Sequence, residues 1–253
     1  MQKFFVRACD IDSGLVTVKG SDGRHISRSL RMAKGDPVTV CDMQRREYDC
    51  VIEDFTGPDK TDVVLRIVSE RDTDTEPPCS VTVYQALPKS DKMDIIVQKA
   101  VELGAARVVP VITERIVSRP DERSADKKLE RWRRIAKEAA VQCGRGLVPE
   151  IGGFAQFGEA LDRMSEADVF FLCYEGENVR PLPELISGVK GGHVAFMIGA
   201  EGGFSSAEAD AAAERGIPLA GLGKRILRCE TASGFVLSCL AYETELRGGP
   251  ESR

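Results

Sequence analysis

Residues 69–80 read SERDTDTEPPCS, and the hydrophobic pattern differs on the two sides of this stretch. That change of period constrains the fold most, because each pattern must be buried in its own way. Before it lie GLVTVKG, DPVTVCD, YDCVIEDF and DVVLRIVSE, rich in Val, Ile and Thr and separated by Gly, Asp and Pro. Closely spaced strands of this kind predict a small barrel. SRSLRMAKGD (27–36) is expected to form one short helix closed by Gly35. The charged, Pro-containing stretch reads as a linker, so the expected domains are 1–72 and 73–253.

From Val81 onward strands alternate with helices. SVTVYQAL, RVVPVIT, DVFFLCYE, HVAFMIGA and LAGLG have strand composition. In KMDIIVQKAVELGA, Ile95, Ile96, Lys99, Ala100 and Leu103 recur at helical spacing up to Gly104. ADKKLERWRRIAKEAAVQCGR puts Leu129, Trp132, Ile135, Ala136 and Ala139 on one face. SAEADAAAERG follows a capping serine, and TASGFVLSCLAYETEL reads as a final helix. Such alternation predicts an α/β layer with a mostly parallel sheet.

Composition excludes several classes. No apolar run approaches the ~18 residues of a membrane span. MQKFFVRACD has no secretory-signal pattern, so a cytoplasmic location is expected. The eight cysteines form no C-x-x-C pair, and His25 and His193 are the only histidines. No metal is therefore expected, and the cysteines are expected to be reduced. Net charge is −5, yet residues 107–146 hold 11 basic and 6 acidic side chains. A local field of that sign attracts polyanions. A solvated helix face with salt-bridge partners accounts for the same composition.

Two stretches carry chemistry. IGAEGGFS (198–205) follows a strand but lacks both the G-x-G-x-x-G spacing of a dinucleotide fold and the Gly-Lys-Ser/Thr of a P-loop. Its adjacent glycines allow close backbone approach to a ligand, or simply a structural turn. Glu201 within it repels phosphate and suits a cationic or neutral ligand, or it hydrogen-bonds backbone amides. S-adenosylmethionine has a sulfonium and an ammonium and no phosphate. LGKRILRCETA (222–232) crowds Lys224, Arg225 and Arg228 around Ile226 and Leu227, before Glu230 and Thr231. It reads either as a charged loop with a helix cap, or as backbone that holds an adenine while arginines face a polyanion.

GLGKRILRCETA resembles the pattern L-G-x-R-I-L-R-x-E-T-A, and IGAEGGFSSAE resembles I-G-P-E-G-G-F-S-x-x-E. KSDKMDIIVQKAVELGAARVVPVITERIVSR, KKLERWRRIAKEAAVQCGRGLVPEI and HISRSLRMAKGD are similar to three further blocks of the same family. That family is the small-subunit (16S) ribosomal RNA uridine-N3 methyltransferases, of the SPOUT superfamily. The resemblance covers nearly the whole chain, with the blocks in order. Ala200 replaces a usual Pro, and Cys229 a Thr.

The resemblance implies an α/β SPOUT-type parallel sheet with a C-terminal trefoil knot, preceded by a small PUA-like β-barrel. It implies S-adenosylmethionine as cofactor, a homodimer, and small-subunit ribosomal RNA or the assembled subunit as partner, with no membrane and no metal. The implied cofactor residues are Leu172, Tyr174, Glu175, Met197, Ile198, Gly199, Ala200, Glu201, Gly202, Gly203, Leu222, Gly223, Ile226, Leu227 and Arg228. Arg24, Arg28, Arg31, Arg131, Arg134, Lys137 and Gln142 are expected to bind RNA. Uridine N3 carries a proton at neutral pH, so its methylation needs a proton acceptor or stabilisation of the anion. Glu230, Arg145 and Arg228 are the candidates, and helix capping competes as an account of Glu230. Methylation of another RNA position, such as a ribose 2′-oxygen, and a non-catalytic RNA-binding or assembly role are the alternatives.

Overall fold

The computed structural model describes residues 2–116 and 119–247. The chain divides into two compact units, Met1–Glu76 with Ala140–Val148, and Pro77–Ala139 with Pro149–Arg253.

In the first unit the strands are β1 (Gln2–Phe5), β2 (Ile11–Asp12), β3 (Leu15–Val18), β4 (Pro37–Cys41), β5 (Arg46–Thr56) and β6 (Asp62–Asp72). They form one sheet in the order β1-β4-β5-β6-β3-β2. β1 runs parallel to β4, and the other pairs are antiparallel. Register shifts between Asp49 and Cys50 and between Ile52 and Asp54 bend the long β5–β6 ribbon. Val16, Ile26, Val38, Val40, Val63 and Leu65 are fully buried on its inner side.

The helix of this unit lies earlier than the sequence suggests. α1 spans Gly20–Arg24 and runs into a π-helical turn at His25–Ser29. Ile26 anchors this segment in the core, while Leu30 and Met32 are only partly buried. Arg31 takes a positive φ of 52°, which a helix cannot contain. The next residues form a turn in which the Asp36 carboxylate accepts from the Ala33 amide at 2.8 Å.

A buried ion pair joins two distant segments within this unit. The Glu76 carboxylate accepts from Arg145 Nη2 at 2.5 Å, and from the amides of Gly146 and Leu147 at 3.0 and 3.3 Å. The two side chains are only 5% and 6% exposed. Lys3 Nζ also donates to the carbonyl of Gly144, at 2.8 Å.

The second unit contains β7 (Cys79–Ala86), α2 (Lys92–Glu102), β8 (Arg107–Ile112), α3 (Glu122–Cys143, whose last turn counts with the first unit), β9 (Glu150–Ile151), β10 (Ala155–Gln156) and α4 (Phe157–Met164). It continues with β11 (Val169–Cys173), β12 (Arg180–Pro181), α5 (Leu182–Ile186), β13 (Gly192–Ile198), α6 (Ser206–Glu214), β14 (Leu219–Gly221) and α7 (Cys229–Ala241). The sheet order is β10-β8-β7-β13-β11-β14-β12, with β9 beside β8, and all pairs are parallel. Both faces of the central strand β13 are covered, which is why Val194–Ile198 reads as an unbroken apolar run.

Leu129, Trp132, Ala136 and Ala139 of α3 are buried, as their spacing predicts. Asp94 of α2 accepts from Trp132 Nε1 at 3.1 Å and from Arg131 Nε at 2.8 Å. The short helix α4 is not apparent in the strand-and-helix reading of the sequence. It buries Ala160, Leu161 and Met164 against the sheet.

Replacing Glu76 by Ala removes the carboxylate that pairs with the buried Arg145 guanidinium. The variant is expected to lose about 3 kcal/mol, the cost of breaking a buried pair from one side. Urea unfolding followed by circular dichroism checks this, and a loss within error of zero contradicts the buried clamp.

Candidate active site

A cavity of about 740 Å³ opens where several parallel strands end. Tyr174 and Glu175 follow β11, Ile198 ends β13 with Gly199, Ala200, Glu201 and Gly203 after it, and Gly221–Arg228 lead from β14 into α7. Lys92 reaches the cavity from the start of α2, just after β7. β13 lies beside β7; β7 connects outward to β8 on one side, and β13 connects past β11 to β14 on the other. Loops diverging at the carboxyl ends of such strands leave a crevice.

The turn after β13 is compact. The Gly203 amide donates to the Ala200 carbonyl at 3.0 Å, and Gly203 has a φ of 61°. A Cβ on Gly199 would lie 3.0 Å from Gly203 Cα and 3.1 Å from its carbonyl carbon. Side chains at these two positions would spread the turn. Behind it, Ser205 caps α6 by accepting from the Glu208 amide at 3.2 Å, and Glu208 accepts from the Ser205 amide at 3.0 Å. The other oxygen of Glu208 accepts from the Glu114 amide at 2.8 Å, and Arg115 Nη1 donates to the Gly202 carbonyl at 2.8 Å.

The carboxylate inside the turn is a tie between loops. Glu201 accepts from the Lys89 amide at 3.2 and 3.3 Å, and from Lys92 Nζ at 2.7 Å. Burial pushes its pKa up, but the Lys92 hydrogen bond and backbone amides outweigh this, and the carboxyl ends below its ordinary value. The same hydrogen bond raises Lys92 above its ordinary value.

Glu230 lies in the first turn of α7. Its Oε2 accepts from the Cys229 thiol at 3.2 Å and stands 3.9 Å from Lys92 Nζ. Its own backbone amide is the main cause of a lowered pKa, with the Cys229 thiol, Lys92 and Arg228 adding to it. Burial pushes the Cys229 thiol up to about 12, so this cysteine stays protonated.

Of the residues expected to hold a cofactor, Tyr174, Glu175, Ile198, Gly199, Ala200, Glu201, Gly203, Leu222, Gly223, Ile226, Leu227 and Arg228 line this cavity. Leu172 and Met197 are fully buried in the core, and Gly202 lies against Arg115. Glu230 is beside the lining, next to Cys229. Arg145 belongs to the first unit and is engaged by Glu76. Lys92, also a lining residue, was absent from the sequence-based set. Its signal lay in its place, directly after the strand YQAL and a Pro-containing turn.

The expected RNA-binding side chains fall into separate groups. Arg24 and Arg31 are exposed, and Arg28 is exposed with Asp59 3.3 Å away. On α3, Arg131 is bound to Asp94, Arg134 is exposed with Glu138 3.9 Å away, Lys137 is half-buried and Gln142 is exposed. Among the described residues, no group of His, Cys, Asp and Glu could hold a metal, and no helix is long and apolar enough to cross a membrane.

A parallel α/β sheet with Gly-rich turns at its carboxyl ends is an architecture of RNA methyltransferases, and residues 75–241 match the RNA methyltransferase domain family. The solved structure of a methyltransferase from Legionella pneumophila with bound SAM is 28% identical, with a TM-score of 0.83 over 95% of this chain and 96% of that one. The Neisseria gonorrhoeae ribosomal RNA small subunit methyltransferase E, bound to S-adenosyl methionine, is 30% identical, with a TM-score of 0.83 over 96% and 98%. The ribosomal RNA small subunit methyltransferase E of Bacillus subtilis is 32% identical over 99% of this chain and 100% of its own length. The chain belongs to the ribosomal RNA small subunit methyltransferase E family, with a SPOUT-like methyltransferase fold.

The Glu201 tie has a pH signature. A carboxyl whose folded value is depressed stabilises the fold at pH above its unfolded value, and that contribution is lost as pH falls through the folded one. The amide resonance of Lys89, which reports Glu201, should therefore titrate below the ordinary glutamate value of about 4.3. A midpoint above that value would contradict the tie.

Proposed function

We propose that this protein transfers a methyl group from S-adenosylmethionine to N3 of a uridine in small-subunit (16S) ribosomal RNA. The observation that carries the reading is the donor-sized cavity whose Gly-rich turn holds a carboxylate in place of a phosphate-binding residue. Family membership supports the RNA substrate. The residues present fit the donor: about 740 Å³ is within the usual range for small-molecule sites, and Gly199 and Gly203 keep the backbone free of Cβ atoms. Glu175 and Glu201 suit a ligand bearing positive charge. When bound, S-adenosylmethionine supplies an electrophilic methyl group on a sulfonium.

The chain's own residues then have separate parts. The turn at 198–203 and the segment 222–228 enclose the donor with backbone groups. Arg228, which precedes α7 and lines the cavity, stabilises negative charge on the oxygens of the uracil ring. Glu230 stays ionised and orients the ring or accepts the N3 proton. Its lowered pKa makes it a weak base, so stabilisation of the anion by Arg228 carries more of the work. Arg145, already held by Glu76, has a structural part in the first unit.

In the same reading residues 1–72 are a PUA-like RNA-binding barrel, and residues 73–253 a SPOUT domain with a C-terminal trefoil knot. The crossing of strand order at β13, β11 and β14 supports the knot. Arg24, Arg28 and Arg31 of the first unit and Arg134, Lys137 and Gln142 of α3 contact RNA, while Arg131 braces α3 through Asp94. The active form is a homodimer, supported by apolar side chains left in solvent at Ile95, Phe235 and Tyr242. The protein works in the cytoplasm on the RNA or the assembled small subunit.

The direct experiment is nucleoside mass analysis of small-subunit RNA treated with the purified protein and labelled donor. 3-Methyluridine is the expected product; a 2′-O-methylated nucleoside would reassign the position, and no labelled nucleoside would reject the activity. Gly199→Ala should weaken donor binding at least about tenfold, a Cβ in a turn with 3.0 Å of room. Unchanged affinity by calorimetry would take the turn out of the donor site. Arg134→Gln should reduce the salt dependence of RNA binding by about one phosphate contact, and leave donor affinity unchanged. An unaltered slope would return α3 to ordinary surface.

A further inference from the structure

The cavity has a charged cluster that the mechanism above uses only in part. Lys92 Nζ is 2.7 Å from Glu201 Oε1 and 3.9 Å from Glu230 Oε2. Glu201 belongs to the turn after β13, Glu230 to the first turn of α7, and Lys92 to the start of α2. One ammonium therefore joins three segments that are far apart in the sequence. All three side chains are partly shielded from solvent, Lys92 being 31% exposed, Glu201 28% and Glu230 20%.

Among the described residues, no second side-chain ammonium lies at hydrogen-bonding distance of these carboxylates. Glu201 also takes the Lys89 amide. Glu230 takes the Cys229 thiol, and Arg228 acts on it through its charge alone. Without Lys92, the two carboxylates would lose the ammonium they share, beside a thiol that burial already keeps protonated. Like charges sharing a site do not both stay ionised at their ordinary values, and they titrate as a pair.

We infer that Lys92 is a positioning residue for methyl transfer, whose shared ammonium holds Glu201 and Glu230 ionised and in fixed orientation beside the donor. The inference rests on the donor and reaction proposed above. Lys92 acts through the two carboxylates. Glu201 transmits its position to the Gly-rich turn, and Glu230 to the start of α7. Removing the charge should therefore spare donor binding more than transfer, and should move the pH dependence of transfer.

The test compares wild type with Lys92→Met, which keeps the stem and removes the charge, and Lys92→Arg, which keeps the charge. Carbon NMR of glutamate carboxyls in the free protein reads the titration of Glu201 and Glu230. Single-turnover transfer at saturating S-adenosylmethionine reads the pH profile. In Lys92→Met both carboxyls should titrate at higher pH than in wild type, and the acid limb of transfer should move up with them. Donor affinity should stay within about fivefold, the range of a partly exposed ion pair. Lys92→Arg should restore both titrations and the profile. Unmoved carboxyl titrations in Lys92→Met overturn the inference, as does a loss of transfer equal at every pH.

If Lys92→Met does not fold, Glu201→Gln decides. It leaves the ammonium to Glu230 alone, so Glu230 should titrate lower than in wild type, and an unmoved value overturns the inference. A wild type that transfers no methyl group would instead reject the functional reading, and with it any part of Lys92 in transfer. The carboxyl titrations, read without donor or RNA, tell that failure from failure of the ion cluster.

Discussion

The hydrogen bonds of Glu201 hold the cavity at the strand ends in shape. A turn of three glycines, an alanine and a glutamate has little side-chain packing to fix it, and Gly203 occupies a conformation that L-residues rarely adopt. Left to itself such a turn would sample several shapes at little cost. The carboxylate bound to the Lys89 amide and to Lys92 fastens it to the loop after β7. Arg115 fastens it again through the Gly202 carbonyl. The neighbouring loops at the strand ends thus hold the glycine turn by polar contacts, and leave its inner side open to a ligand.

This also explains why a carboxylate stands in a Gly-rich turn. A phosphate loop points free backbone amides at an anion, and a carboxylate there would compete for them. Glu201 instead takes an amide from another loop, that of Lys89. The amides of its own turn and of the next helix start are then used locally, Gly203 on Ala200 and Glu208 on Ser205.

Much of the second unit is legible in the sequence because its periods are clear. The continuous apolar runs of β7, β8, β11 and β13 and the stripe of α3 follow directly from burial on two faces or one. The helix before Gly35 is a different case. SRSLRMAKGD has helix-forming residues and a terminating glycine, but Ile26, one residue before that stretch, is the side chain the core accepts. Tertiary packing thus moved the helix toward the N-terminus and left Arg31 in a turn. The cavity loops could be found from their glycines, and the resemblance to a known family named most of the lining. Lys92 escaped because a lysine at a helix start looks like ordinary surface until its two carboxylates arrive from residues 201 and 230.

Arg145 shows the opposite limit. In the sequence QCGRGL an arginine between glycines at the end of a basic helix looks free to reach a ligand. Its actual environment depends on Glu76, which lies 69 residues earlier in a stretch that reads as linker. Glu76 satisfies Arg145 and two backbone amides with one carboxylate, so the pair meets the condition under which buried charge is tolerated. A cation already saturated in this way has little left to offer a substrate. Arg228 differs in each respect: it lines the cavity, stays exposed and precedes a helix whose first turn carries Glu230. In the proposed reaction the charge-stabilising part therefore falls to Arg228, one of the cations that the fold leaves exposed at the cavity, whatever the two arginines share as members of basic, glycine-bounded motifs.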